Sequence, residues 1–354
     1  MTRPRERGQR ILVVRLAGIG DVAISSSLVE RIRAEQPGAH ITFMTGRAAA
    51  PIARLFDVDE VIEIDERSLL RGGAVARALV VLSLWPRLVK GRFDRVLLLH
   101  VDRRYQALTA LIPWVRTDML TRRRHGEMLP VPGRWLGDEY ARLLGGNQHV
   151  GPIERRYGMA DLRDRVVPRK VGDRVVAMVP GGARNVLRET GLKRWPLPHY
   201  ADLARRLIAD GFGVLLLGND ADRWVLPAFD GIPVRNEIGE HDLLATLSLM
   251  RGANLVVSHD TGPMHLARLV RAPLVALFGP TNPQELLWSD DSVTVLWGGG
   301  DLACRPCYDG REFARCADNI CLSSISPATV HDAVRTLMAR RATTSSRQGV
   351  LHGP

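Results

Sequence analysis

Asn254-Leu255-Val256-Val257-Ser258-His259-Asp260-Thr261-Gly262-Pro263-Met264-His265-Leu266-Ala267 runs without a break from an apolar, β-branched stretch into the opening of a helix. Residues 254–258 suit a buried strand. Asp260 or Thr261 can cap the helix, and Pro263 fits its first turn. A strand that feeds straight into a helix is the repeating unit of a parallel α/β sheet. The free N–H groups of the helix's first turn point at whatever lies beyond the strand end, which makes them a seat for an anion.

Working outward, the same grammar repeats. Strands are expected at 174–179, 213–217, 274–278 and 293–296, with helices at 198–210, 242–251, 262–270 and 327–341. Towards the N-terminus, 11–16, 41–45, 61–64 and 95–100 read as a first set of strands separated by helix-spaced apolar residues. Around 154–172 the pattern gives way to a charged stretch holding Pro168 and Gly172. The expectation is therefore α/β, with a Rossmann-like domain over 1–165, a second over 166–341, and a flexible tail over 342–354 rich in Thr, Ser and Gly. Two facing doubly wound domains would gather the carboxyl ends of both sheets around an interdomain cleft.

Composition narrows the classes. With 354 residues, 45% hydrophobic and 25% charged, the chain is neither disordered nor fibrous. The longest apolar stretch, 75–89, is broken by Arg77, Pro86 and Arg87, short of the ~20 residues of a membrane span. The first ten residues are polar and basic, and 11–16 is too short for a signal-peptide core, so a cytoplasmic address is expected. A net charge of +11 invites a nucleic-acid reading, yet the basic residues are spread along the chain and nearly all are arginine. A cationic surface suits phosphate and carboxylate groups, including those of an anionic inner membrane leaflet.

The turns after the strands hold the candidate chemistry. Gly18-Ile19-Gly20-Asp21-Val22-Ala23 formally fits a dinucleotide fingerprint, but a carboxylate at position 21 would repel a pyrophosphate, and no acid ends the second strand at Thr45-Gly46-Arg47. Asp21 is then either a general base at a helix N-terminus or the N-cap of that helix. Pro180-Gly181-Gly182-Ala183-Arg184-Asn185 is either a phosphate-approaching glycine loop or a plain turn. Lys193, in a chain whose other lysines are Lys90 and Lys170, supplies a point charge suited to a diphosphate. Asp220 and Asp222 could hold ribose hydroxyls or cap a helix. His265 is either a ligand contact or a hydrogen-bonded core histidine. Gly279-Pro280-Thr281-Asn282-Pro283 is either a second loop on the same rim or a plain turn. Cys304, Cys307, Cys316 and Cys321 could give four thiolates to a structural zinc, or be small buried residues of a loop.

Taken together, Arg15-Leu16-Ala17-Gly18-Ile19-Gly20-Asp21-Val22, Lys193-Arg194-Trp195-Pro196, Asp260 to Ala267 and Ala276-Leu277-Phe278-Gly279-Pro280-Thr281-Asn282-Pro283 resemble glycosyltransferase family 9, the bacterial ADP-heptose:lipopolysaccharide heptosyltransferases. The resemblance covers nearly the whole chain. It implies a GT-B fold and an inverting, metal-independent transfer that requires no cofactor. It also implies that Asp21 deprotonates the acceptor hydroxyl and that Lys193 stabilises the departing diphosphate. Asp260, Thr261, Gly262, Pro263 and His265 would hold the diphosphate and donor sugar, with Gly18, Gly20, Gly182, Ala183 and Arg184 also at the donor. Asp220 or Asp222 stands near the family's ribose acid. The partners implied are a nucleotide-sugar donor and a lipid-linked or cell-surface saccharide acceptor at the cytoplasmic membrane face, with acceptor contacts expected around 101–105 and 122–124; nucleic acid is not among them. Two rivals stand beside this reading: an NAD(P)-dependent oxidoreductase built on the Gly18–Gly20 turn, and a basic, zinc-stapled nucleic-acid binder using Cys304 to Cys321.

Overall fold

The computed structural model describes residues 8–16, 18–100, 103–110, 112, 115–120, 123–124, 127–128, 133–145, 166–184, 189–308, 313–316 and 318–350. The chain divides into two compact units, Met1–Leu162 with residues 185–188, and Arg163–Arg184 with Glu189–Pro354.

The first unit runs β1 (Arg10–Val14), α1 (Ile19–Glu35), β2 (His40–Gly46), α2 (Ala50–Ala53), β3 (Glu60–Ile64), α3 (Glu66–Arg71), α4 (Ala74–Gly91), β4 (Arg95–Leu98), α5 (Arg103–Thr109), β5 (Arg116–Met119), the short pair β6 (Arg123–Arg124) and β7 (Glu127–Met128), and α6 (Leu136–Gly145). Its main sheet is parallel, in the order β3-β2-β1-β4-β5. Ile11, Leu12, Val13 and Val14 are fully buried, as a central parallel strand covered on both faces must be. Such burial stabilises by about 1.5–3 kcal/mol per side chain.

The second unit runs β8 (Val175–Val179), a 3-10 turn (Gly191–Lys193), α7 (Leu197–Ala209), β9 (Gly213–Leu216), a 3-10 helix (Asp220–Phe229), β10 (Arg235–Asn236), α8 (Leu243–Gly252), β11 (Leu255–His259), α9 (Gly262–Leu269), β12 (Leu274–Phe278), α10 (Pro283–Leu286), β13 (Val293–Trp297), α11 (Ile320–Ser323) and α12 (Pro327–Val350). Its six strands, also parallel, lie in the order β10-β9-β8-β11-β12-β13. In both sheets the first strand has its successor on one side and the fourth strand on the other. The order reverses at that point, and the crevice beyond the strand ends there is where doubly wound sheets bind ligands. In the first unit the crevice lies between β1 and β4, in the second between β8 and β11.

Two sequence expectations need correction. The final helix passes Arg341 and continues to Val350, so 342–350 are helical and not tail. Thr and Ser lower helix propensity only slightly, and no Gly or Pro interrupts the chain between Pro327 and Gly349. Residues 351–354 of the expected tail lie outside the described residues. Strand β5 went unpredicted, because Arg-Thr-Asp-Met at a sheet edge carries no apolar alternation.

Candidate functional site

In the first unit, the turn after β1 places Asp21 third in helix α1, whose N-cap is Gly18 with φ 82°. Asp21 is therefore not the cap. Its carboxylate lies 2.5 Å from the guanidinium of Arg15, and the Asp21 side chain is 34% exposed against 7% for Arg15. A Cβ on Gly18 would sit 2.5 Å from the Asp21 carboxylate, so the positive φ and the close approach both demand glycine. Gly20 is buried inside the first helical turn.

Arg15 is the residue that sequence reasoning missed. Its Nη1 donates to the Leu99 carbonyl at 3.1 Å and its backbone N–H to the Met44 carbonyl at 3.0 Å, so it ties the end of β1 to the ends of β4 and β2. Burial works against the charge on Arg15, but the Asp21 carboxylate outweighs it and holds the guanidinium above its ordinary value. Tyr140 is fully buried, and burial pushes its phenol up, so the hydroxyl stays protonated. Among the described residues that hydroxyl has no hydrogen-bond partner. The arrangement is one outward carboxylate fixed from behind by a buried cation, the geometry a positioned proton acceptor needs. In an arginine-dominated sequence nothing distinguishes Arg15; only its place at the reversal point does.

In the second unit, the Pro180–Arg184 turn follows β8. Gly182 and Ala183 adopt φ of 82° and 58°. The Gly182 amide donates to Asp222 at 2.8 Å, and Asp222 also accepts from the Asn219 amide at 3.0 Å within a capping box. Asp222, 6% exposed, thus braces one turn against the other. Asp220 is exposed and paired with Arg223 at 2.7 Å. Arg184 pairs with Glu189 at 2.6 Å, and Arg194 shares Glu189 at 2.6 Å while donating to the Gly182 carbonyl at 2.8 Å. Those paired arginines hold Glu189 below its ordinary range.

Across the β8/β11 crevice stand Asp260 and Thr261. Lys193 Nζ lies 2.6 Å from Asp260 Oδ2, and the Thr281 hydroxyl donates to the same oxygen at 2.6 Å. Burial pushes Asp260 up, but Lys193 foremost, then Thr281 and His265, overcome it and hold the carboxyl below its ordinary value. Buried Trp195, whose indole N–H donates to the Ile325 carbonyl at 2.9 Å, anchors the Lys193-Arg194-Trp195-Pro196 segment. Thr261 is the backbone N-cap of α9, yet its side chain makes no capping bond; among the described residues its buried hydroxyl has no partner. A Cβ on Gly182 would lie 3.4 Å from that hydroxyl. Gly262 and Pro263 open α9, and His265 is buried one turn in. A retained ammonium, an unused hydroxyl and a helix N-terminus converge here, which is chemistry suited to a phosphate. Thr281 is the second missed residue: the sequence marks its loop as a rim or a turn and gives the hydroxyl no role.

The zinc expectation is corrected. Among the described residues no three His, Cys, Asp or Glu side chains form a metal-binding group. Cys304 and Cys316 are exposed, Cys307 and Cys321 half-buried, and all four are free thiols. Of the expected acceptor residues, 101, 102 and 122 lie outside the described residues.

Residues 158–316 match the sequence model of glycosyltransferase family 9 (heptosyltransferase). The chain is 26% identical over 309 residues to lipooligosaccharide heptosyltransferase 2 of Haemophilus influenzae, spanning 81% of this chain and 88% of that protein. It is 28% identical over 313 residues to lipopolysaccharide heptosyltransferase 2 of Salmonella typhimurium, spanning 77% and 84%. Among solved structures, E. coli ADP-heptose lps heptosyltransferase II superposes with a TM-score of 0.68 at 21% identity, over 94% of this chain and all of that one. E. coli heptosyltransferase WaaC with ADP-2-deoxy-2-fluoro heptose gives 0.69 at 18%, over 93% and 99%. At these identities the superpositions establish the shared fold, GT-B. The comparisons support neither rival reading. The lysine, the aspartate and the α9 N-terminus all lie inside the matched span, and with relatives aligned over most of its length the chain is similar to the heptosyltransferases of glycosyltransferase family 9.

Proposed function

We propose that the protein is an inverting glycosyltransferase that moves a heptosyl residue from ADP-heptose to a lipopolysaccharide-core-like saccharide, lipid-linked or at the cell surface, working in the cytoplasm at the inner face of the membrane. The observation that carries the reading is the seat at the β8/β11 crevice. There Lys193 is held by Asp260, itself bonded to Thr281, beside a Thr261 hydroxyl at the α9 N-terminus that has no partner among the described residues.

In this reading Asp21 accepts the proton of the acceptor hydroxyl as that oxygen attacks the anomeric carbon. The new glycosidic C–O bond forms while the bond to the diphosphate breaks, and ADP departs with the electron pair. Lys193 and the α9 N–H groups meet the charge developing on the diphosphate, supplying what a divalent cation supplies in other transferases. Arg15 is a positioning residue that holds Asp21 outward. Asp222 shapes the donor loop by accepting from the Gly182 amide.

The test is the purified protein with ADP-heptose and a heptose-deficient lipopolysaccharide core. ADP release together with one added heptose in the product's mass is the expected result. Consumption of a different nucleotide sugar, with ADP-heptose untouched, would overturn the donor assignment.

A further inference from the structure

Helix α4 has two apolar faces and the fold uses one. Leu84 and Leu88 are buried, and with half-buried Val80 and Val81 they fasten the helix to the core of the first unit. Val75, Leu79, Leu82, Trp85 and Val89 remain 75%, 61%, 58%, 47% and 40% exposed. Their spacing of four, three, three and four residues keeps them on one side of the helix over about 21 Å. A surface helix ordinarily turns a polar face outward. Trp85 adds a ring with an apolar body and a polar N–H, the form enriched where water meets lipid.

Charge selects the occupant. Between Glu66 and Asp94 the chain carries six cations, Arg67, Arg71, Arg77, Arg87, Lys90 and Arg92, and no acid. Arg87 on this helix pairs with Glu60 at 3.7 Å. A second copy meeting the same face around a two-fold axis would press these cations against their own counterparts. An anionic lipid surface neutralises them while taking up the apolar stripe. No helix among the described residues is long and apolar enough to cross a membrane.

We propose that the outer face of α4 is an interfacial docking surface, on which Val75, Leu79, Leu82, Trp85 and Val89 enter an anionic lipid surface while Lys90 and Arg92, exposed at its C-terminal end, contact the headgroups. This surface rests on the membrane address of the proposed function and is separate from the chemistry of transfer.

Flotation of the full-length protein with vesicles of phosphatidylglycerol and phosphatidylethanolamine, set against vesicles of phosphatidylcholine, tests it. The protein floats with the anionic vesicles and stays behind with the neutral ones. Leu79→Ser/Leu82→Ser lowers the partition at least about tenfold. Lys90→Gln/Arg92→Gln lowers it about fivefold per charge, and high salt removes that effect. Because the replaced side chains are exposed, melting temperature and ADP affinity stay unchanged in both variants, which separates lost docking from lost folding. Equal partition onto neutral vesicles, undiminished binding of the leucine variant, or a concentration-dependent dimer that the same substitutions disperse would each overturn the proposal. No sugar substrate enters the measurement, so its failure is distinguishable from failure of the transferase assignment.

Discussion

Replacing Lys193 with Ala leaves Asp260 with no cation at 2.6 Å and only the Thr281 hydroxyl on its inner oxygen. The Asp260 side chain is 4% exposed and Lys193 21%. Breaking a buried pair by removing one partner costs about 3–5 kcal/mol. Water reaching the lysine side brings this towards about 2–3 kcal/mol. The sign of the pH dependence follows from Asp260, whose carboxyl is held below its ordinary 3.8. A depressed carboxyl contributes stability above its unfolded value, and that contribution is lost as pH falls through the folded value. The wild type and Lys193→Ala should therefore differ most in urea midpoint at neutral pH and converge in acid. In calorimetry the same substitution should weaken ADP affinity by about 1–3 kcal/mol, since a charge-assisted contact is lost and an uncompensated carboxylate is left facing the diphosphate. Adding Asp260→Asn removes that carboxylate and should recover part of both losses, giving a coupling of about 1–3 kcal/mol in the double-mutant cycle. An unchanged midpoint together with unchanged ADP affinity in Lys193→Ala, or no recovery in the double variant, would refute this account of the pair.

Asp21→Ala should lower transfer by roughly 10²–10⁴-fold with ADP affinity retained, and turnover at the wild-type rate would remove Asp21 from the mechanism. Arg15→Met should cost roughly a hundredfold in kcat by releasing Asp21, with partial return in Arg15→Lys; a change in donor KM alone would contradict a positioning role. Gly18→Ala places a methyl in a left-handed residue against the Asp21 carboxylate and should cost about 1–2 kcal/mol of stability along with activity, readable as a shift in Tm. His259 is fully buried, and burial, only partly offset by Asp260, pushes its imidazole down to about 3. Stability should therefore decline below pH 6.5 by up to about 1.4 kcal/mol per pH unit as the unfolded chain takes up the proton, and His259→Gln should flatten that slope.

The parallel sheets were legible in the sequence because each buried strand is a short apolar run ending in a Gly-, Pro- or Asp-bearing turn, as at Leu274–Phe278 before Gly279-Pro280. The same turns flagged Asp260, Thr261 and Lys193, which the fold brings together. Elements with no periodic signal were not legible: the polar edge strand Arg116–Met119, and the 3-10 helix Asp220–Phe229 with Pro227 inside it.

Asp222 was visible as an acid after a strand, but its partner, the Gly182 amide forty residues earlier, was not. The same holds for Thr281, which meets Asp260 only because β11 and β12 are neighbours. Arg15 stands beside Leu99 because β4, and not β3, pairs with the free side of β1. Residue order and hydrophobic period thus determined by themselves that this is a tandem of α/β units with chemistry in the turns. Which turn faces which was decided only by tertiary structure. Strand order is set by how the helices cover both faces of each sheet, a packing outcome that local spacing does not encode.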